Sequence, residues 1–466
     1  MKNIINLLIA LTFIAAYPVV VACSDDDGPT FSTRPASGII IDINNIVTSN
    51  VDTKLGINLN AGIDSDLNRE KGAQSLGEAL TELGVKHLRF PGGAKSMYYF
   101  WAEAPYTNPS SHSWITEGSS WYANAAKNTI NFDEFMTICK QTGAEAHINV
   151  AWNPDGGLNE ELAAAWVKYA NIIHNHNIKY WEIGNEMWQK KYGFSALTLA
   201  EVVKSYSAAM KAVDPSIKIG VSWKNEQAII NACGNALDFV TISDYSGNNF
   251  NTYSNYANGD NVQLTEINAT SSKKIVVSEF APLLFNGEDG STGDYNADNS
   301  NNTGRALISF DHIGQILENK NCEYACFWNT RWYNEGDLCS DALDDLNNLR
   351  PTGLALAAWG KFLKNNMVSA SSKIETIVPY ATLDDKNGDL NIFILNKKES
   401  TQAVSISLLS DDKYNSSTNI WQLKGANNKD KNPTFDKVEN INIQINTTQA
   451  IELPPTSVTV VQLKLK

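Results

Sequence analysis

The stretch "KYWEIGNEM" (179–187), followed by "ALTLAEVVKSYSAAMKAV" (196–213), decides the fold. Tyr180 to Ile183 reads as a buried strand, and Gly184-Asn185 ends it at a turn. The segment after it is apolar at helical spacing. One short strand and one amphipathic helix thus make a unit, and the chain repeats such units. A carboxylate, Glu186, stands where the strand surfaces, a place that costs stability unless the group is hydrogen-bonded, paired or used.

Working outward, "LGINLN" precedes "KGAQSLGEALTELG", "KHLRF" precedes "FDEFMTICKQTG", and "AEAHINVAW" precedes "NEELAAAWVKYANIIHNH". Beyond 213, "SIKIGVSW", "DFVTIS", "KKIVVSEF" and "EYACFW" are each followed by a helix or a long polar segment. Eight strand–helix units between about 55 and 365 predict an α/β fold, a (β/α)8 barrel spanning 48–370. After 370 the texture changes to short alternating runs such as "DLNIFILNK", "QAVSISLLS" and "SVTVVQLKLK", which predict a β-sandwich over 371–466. "SGIIIDINN" reads as a strand over 37–47 that joins this sandwich.

The 466 residues suit a barrel of about 250 residues or more with a small companion. A net charge of −14 argues against nucleic acid or an anionic membrane surface as partner. Twelve Trp and 17 Tyr hint at sugar binding, although most large rings belong to cores. The N-terminal "MKNIINLLIALTFIAAYPVVVAC" has one Lys and an apolar run too short for a good membrane span. It resembles a bacterial lipoprotein signal, residues 1–22, with Cys23 acylated. "SDDD" opens an acidic tether (23–36) and resembles the surface-export tag of Bacteroidetes-type lipoproteins. The chain is therefore expected on the outer membrane, at the cell surface or periplasmic face. An ordinary cleaved signal is the alternative, and it too exports the protein.

Five further cysteines remain, so at least one is unpaired if Cys23 carries lipid. Cys322 and Cys326 lie four apart on a strand, roughly 13 Å, too far to bridge. No Cys/His spacing resembles a zinc site; His174 and His176 read as a solvated helix end. Neither a metal nor a cofactor is expected.

Barrel chemistry sits where strands end. Barrel strand four ends in Asn185-Glu186, strand seven in Ser278-Glu279, strand two in Arg89 ("LRFPGG"), strand six near Tyr245 and strand eight in "FWNTRWY". Two glutamates at one barrel face suit retaining glycoside hydrolysis, in which one carboxyl protonates the leaving oxygen and the other attacks the anomeric carbon. Burial and a neighbouring carboxylate would keep Glu186 protonated, and Glu279 would be the ionised nucleophile. Either glutamate alone could be a helix cap.

These motifs resemble glycoside hydrolases of clan A. Within the clan, "LRFPGG…YYFW", "KYWEIGNEMW" and "AMKAVDPSIKI", in this order and spacing, look most like family 51, the α-L-arabinofuranosidases. The resemblance implies Glu186 as acid/base, Glu279 as nucleophile and Asn185 as ligand of the sugar 2-hydroxyl. It implies Arg89 and Tyr245 as groups that position the nucleophile, Asn149 as a subsite residue and Trp328 as a sugar platform. It departs at strand one, where the family's sugar-binding glutamate is replaced by Asn58 and Asn60. It departs again before Tyr245, where Asp244 replaces a histidine, and at "SEFAP". Asp244 reads either as a ligand for sugar hydroxyls or as a turn residue. The expected substrate is plant or algal polysaccharide or its oligosaccharides. An endo-acting clan A glycanase (xylanase, glucanase or agarase) and a non-catalytic surface glycan-binding lipoprotein are the alternatives.

Overall fold

The structure, a computed structural model, describes residues 38–110, 128–153, 157–245, 252–258, 262, 264, 271–283, 299–332, 337–410, 413–415, 419–439 and 443–466. The signal, the tether and Cys23 lie outside the described residues, as do 111–122 and 246–251 of the aromatic-bearing loops 101–122 and 246–256, which as long loops could wall a substrate pocket or cleft.

After a leading strand β1 (Gly38–Ser49) come eight parallel strands that close into a barrel. They are β2 (Leu55–Asn58), β3 (His87–Phe90), β4 (Glu145–Val150), β5 (Tyr180–Ile183), β6 (Lys218–Ser222), β7 (Phe239–Asp244), β8 (Lys274–Phe280) and β9 (Cys322–Phe327). Closure comes from β2 pairing with β9 as well as β3. One helix follows each strand: α1 (Leu76–Leu83), α2 (Phe132–Thr142), α3 (Glu160–Val167), α4 (Ala196–Val213), α5 (Glu226–Cys233), α6 (Tyr253–Ala257), α7 (Thr303–Glu318) and α8 (Pro351–Phe362).

Local chemistry sets the helix ends. Ser75 with Glu78 and Asn131 with Glu134 form capping boxes that satisfy the first free N–H groups of α1 and α2. Gly84 and Gly143 close the same helices in the left-handed conformation. The expected single helix over 159–176 differs in its second half, which widens into a π-helix at Lys168–Ile173. There Asn171 turns inward, donating to the Ile178 carbonyl at 2.9 Å and to Asp214 at 2.8 Å, and the wider turn accommodates that side chain.

Nine strands form the second layer in the order β15-β14-β17-β12-β11-β10-β1-β13-β16. The new members are β10 (Asn366–Ser372), β11 (Ile377–Leu383), β12 (Leu390–Asn396), β13 (Gln402–Leu408), β14 (Asn419–Lys424), β15 (Thr434–Val438), β16 (Ile451–Leu453) and β17 (Ser457–Leu463). β1 joins by pairing antiparallel with β10 and parallel with β13. β10 starts at Asn366 and crosses the expected 370/371 boundary. The strands are hydrogen-bonded in one continuous sheet, and residues from its two halves share one core, so the sandwich is a sheet curled on itself. β12 shows why this layer stays on the barrel. Ile392 and Ile394 point into the sandwich core, while Phe393 and Leu395 belong to the barrel core. Phe393 stacks on Trp359 of α8 with centroids 4.3 Å apart, and Trp359 stacks on Phe310 of α7 at 4.6 Å. Beside them the buried Asp311 accepts from Tyr380 of the sheet and Tyr256 of the barrel.

Candidate active site

The loop after β3 is built by its glycines. Gly92 has φ +94 and comes so close to Leu59 that a Cβ would sit 2.0 Å from that carbonyl oxygen. Gly93 has φ +56, and a Cβ there would meet the Trp328 ring at 2.0 Å. Only glycine suits both positions. The tight turn draws the β3 end against the neighbouring strands and leaves Arg89 fully buried at the mouth of the barrel.

Arg89 gathers the site. Its Nε donates to Glu182 at 2.8 Å, one terminal nitrogen to Asn58 (2.9 Å) and Glu279 (3.2 Å), and the other to Asn185 at 2.7 Å. Tyr245 donates its phenol to the other Glu279 oxygen at 3.0 Å. Glu186 lies at the end of the β5 turn with φ +47, an unusual conformation for a non-glycine residue. Its carboxyl accepts from Ser243 at 2.9 Å and from Gln189.

Burial raises the pKa of both carboxyls, and at Glu279 the Glu186 charge adds to the rise. Two interacting carboxyls, Glu279 buried and Glu186 half-buried, do not both ionise freely, so the pair holds one proton over a wide pH range. The donors decide where it resides. Glu279 has a guanidinium and a phenol directed at it, and both favour the ionised form. Among the described residues, the hydrogen-bond partners of Glu186 are the neutral Ser243 hydroxyl and Gln189 amide. Burial and the Glu186 charge push Glu279 up to about 8, yet its two donors favour placing the charge on Glu279 and the proton on Glu186.

Beneath the pair lies a polar layer that the sequence reading missed. Glu182 falls inside what reads as the apolar run of β5, yet it is fully buried and faces the barrel interior. It accepts from Arg89, from Asn149 at 3.2 Å and from Thr241, and lies 3.1 Å from His147. Burial works to raise its pKa, but the Arg89 charge and the His147 contact hold it at about 2. Asn149, expected in a subsite, is fully buried in this layer as a partner of Glu182. The available signal was register: Arg89 pairs with His147, and Asn149 with Glu182, on adjacent strands.

Asn185, next to Glu186 in the chain, accepts from Arg89 at 2.7 Å. Trp328 lies on the catalytic face, against Gly93 and with its ring 5.4 Å from that of Trp332, rather than outward against helices. A buried lysine, Lys95, joins these rings, its ammonium 4.7 Å from the Trp332 centroid and 5.7 Å from that of Trp328. Burial lowers its pKa to about 7 against the opposing charges of Asp64, Glu279 and Asp341.

The strand-one asparagines are committed to the scaffold. Asn58 ties Arg89 to the Ser278 carbonyl at 2.7 Å. Asn60 donates its amide to the Arg331 carbonyl at 3.1 Å, and its backbone N–H binds Asp64 at 2.7 Å. Asp244 is not a turn residue. It ends β7 fully buried, 3.2 Å from His312 Nε2 on α7. The five described cysteines are all buried, and none is in a disulfide among the described residues. A separate cavity of about 710 Å³ opens at the opposite barrel mouth, among Lys54, His87, Lys179 and Tyr324, away from the carboxyl pair.

No family model matches the chain. Over 160 residues it is 31% identical to a probable alpha-L-arabinofuranosidase C of Aspergillus fumigatus, covering 30% of each chain. Over 214 residues it is 26% identical to an intracellular exo-alpha-L-arabinofuranosidase of Bacteroides ovatus, covering 40% of this chain and 41% of that one. The matched part thus spans less than half the length of these relatives. An alpha-L-arabinofuranosidase of Thermotoga maritima, solved as an arabinose complex, superimposes with a TM-score of 0.68 at 16% identity, over 92% of this chain and 100% of that one. The likeness to family 51 thus extends from the motifs to the barrel and its β-sheet companion.

Proposed function

We propose that the protein is a retaining glycoside hydrolase with α-L-arabinofuranosidase as its nearest label, acting on plant or algal glycans. The observation that carries this is the unequal treatment of two carboxyls, buried Glu279 by a guanidinium and a phenol, half-buried Glu186 by neutral donors. In the first step Glu279 attacks the anomeric carbon while Glu186 gives its proton to the leaving oxygen, forming a glycosyl-enzyme ester. In the second step Glu186 takes a proton from water, the water oxygen attacks the same carbon, and Glu279 leaves as carboxylate. The nearest-label reading is supported by the relatives' names and by the matched motifs.

The test is a screen of soluble protein lacking residues 1–23, with Glu279→Ala as control. An aryl α-L-arabinofuranoside is run beside arabinan, xylan, mixed-linkage glucan and agarose. Arabinose as sole product, with retained configuration by NMR, is the expected result; no turnover on any substrate would defeat the reading. A second reading, endo action on a polymer, is favoured by Asn58 and Asn60, both held on backbone carbonyls at the strand end where the family places a sugar-binding glutamate. It would show as a ladder of oligosaccharides.

We also propose that the chain is anchored by a lipid on Cys23 at the bacterial outer membrane, supported by the N-terminal "VVAC" and "SDDD". Labelled palmitate should enter the full chain and not its Cys23→Ala variant.

A further inference from the structure

Two lysines and a tryptophan occupy the Glu186 side of the site, and the chemistry of the carboxyl pair gives them no part. Trp188 follows Glu186 by two residues and is half-buried. Lys224, in the loop after β6, holds its ammonium 4.1 Å from the Trp188 ring centroid. Lys191, in the 3-10 turn Lys190–Tyr192 after β5, lies 5.0 Å from the ring of Tyr192. Both lysines are exposed, and among the described residues neither closes a salt bridge.

We infer that Trp188, Lys191 and Lys224 form a leaving-group subsite for an acidic sugar unit, one bearing a carboxylate or a sulfate ester. The inference rests on the glycosidase reading, because it is Glu186 as proton donor that places the leaving group on this side. A sugar face stacks on an aromatic ring, and an exposed ammonium beside that ring is placed to meet an anionic substituent on the same unit.

Electrostatics gives the arrangement a purpose. Around the Glu186 carboxyl stand Ser243 and Tyr245 from β7 and its end, Arg89 from β3, Glu279 from β8, Tyr192 and Lys191 from the loop after β5, and Lys224 from the loop after β6. Burial raises the Glu186 pKa, while the Ser243 hydrogen bond and then Arg89, Lys191 and Lys224 pull it down. Free cations beside a general acid work against its function. An anionic group bound between them neutralises their field and lets burial hold the proton on Glu186 when the leaving oxygen needs it. The net charge of −14 does not forbid this, since charges more than about 8–10 Å away are largely screened at ordinary ionic strength.

The test uses arabinoglucuronoxylan oligosaccharides, intact and carboxyl-reduced, and sulfated agarose-type galactan oligosaccharides, intact and desulfated. The kcat/KM ratio of the acidic to the neutral partner is measured at 20 and 500 mM salt. Calorimetric binding to the Glu279→Ala variant reads affinity without turnover. In one of the two series the acidic form is expected to be favoured roughly five- to tenfold at low salt, as two exposed ion pairs would give. The preference should shrink at high salt and fall towards one in the K191M/K224M double variant. The series that shows it identifies carboxylate or sulfate. Turnover with a ratio near one in both series overturns the inference and leaves the glycosidase reading standing. Salt-sensitive preference in binding without any turnover supports the cationic subsite and overturns the glycosidase reading instead. Equal affinity for acidic and neutral partners, without turnover, overturns both.

Discussion

The Arg89 guanidinium lies 3.2 Å from the Glu279 carboxylate and 2.8 Å from that of Glu182, with both Arg89 and Glu182 fully buried. One cation thus serves two anions on different levels of the barrel, the Glu186–Glu279 pair above and the polar layer below. Removing it leaves two carboxylates in low dielectric without their main counter-charge.

Arg89→Met is therefore expected to destabilise the fold by about 3–5 kcal/mol, the usual cost of breaking a buried ion pair from one side. Activity should fall below detection, because Glu279 would then hold a proton. Thermal unfolding beside turnover checks both. Arg89→Lys keeps the charge but lacks the fork that reaches four side chains, and should recover stability more than rate.

Glu182 sets an acid limit. Its folded-state pKa, about 2, lies below the ordinary carboxyl value of 4.5. A depressed carboxyl pKa contributes stability that is present above the unfolded value and lost as pH falls through the folded one. Melting temperature should thus drop between about pH 4.5 and 2, with this group contributing on the order of 3 kcal/mol. Glu182→Gln should be less stable at neutral pH and flatter across that window. An unchanged slope in the variant would assign the acid sensitivity elsewhere.

The barrel was legible because each strand–helix unit writes its own period, and Gly-Asn and Pro-Gly mark the strand ends. Glu186, Glu279, Arg89 and Tyr245 were legible because they sit at those ends. Glu182 and His147 were not, because a polar residue inside a barrel strand looks like a break in an apolar run until register pairs it with a charge one strand away. Lys95 escaped for a related reason. It follows the Pro-Gly-Gly turn in a polar-looking loop, and only the tertiary closure of that loop over Trp328 and Trp332 buries it. The curling of the second sheet is likewise invisible in alternation, which reports two faces of a strand but not which of them meets the barrel.

The two glutamates should separate by leaving group. Glu186→Gln is expected to lose about 10²- to 10⁴-fold on natural glycosides, whose leaving oxygen needs a proton. It should lose far less on an activated aryl glycoside, which leaves unaided. Glu279→Ala should lose both. Azide added to Glu279→Ala with the activated substrate should restore turnover and yield a glycosyl azide of inverted configuration. Equal losses for Glu186→Gln on both substrates would remove it from the role of proton donor.

Gly93→Ala should act on Trp328. The residue has φ +56, and its new methyl would stand 2.0 Å from the ring, so the ring or the loop must move. A loss of about 1–3 kcal/mol in stability is expected from strain and overpacking. A change in tryptophan fluorescence should accompany it. Unchanged stability would mean that the loop after β3 has slack where the structure shows none.

Tyr245→Phe gives a test whose sign comes from one hydrogen bond. The phenol donates to Glu279 at 3.0 Å and favours the carboxylate, so its removal raises the Glu279 pKa. Glu279 must be ionised to attack, so the acid limb of kcat/KM reports its protonation in the free enzyme. That limb should move to higher pH, by about one to two units for a hydrogen bond to a charged group. The basic limb, which reports loss of the Glu186 proton, should move less, because the phenol makes its bond to Glu279 and not to Glu186. A shift confined to the basic limb would exchange the roles of the two glutamates, and the acid/base group would then be the one that Arg89 holds.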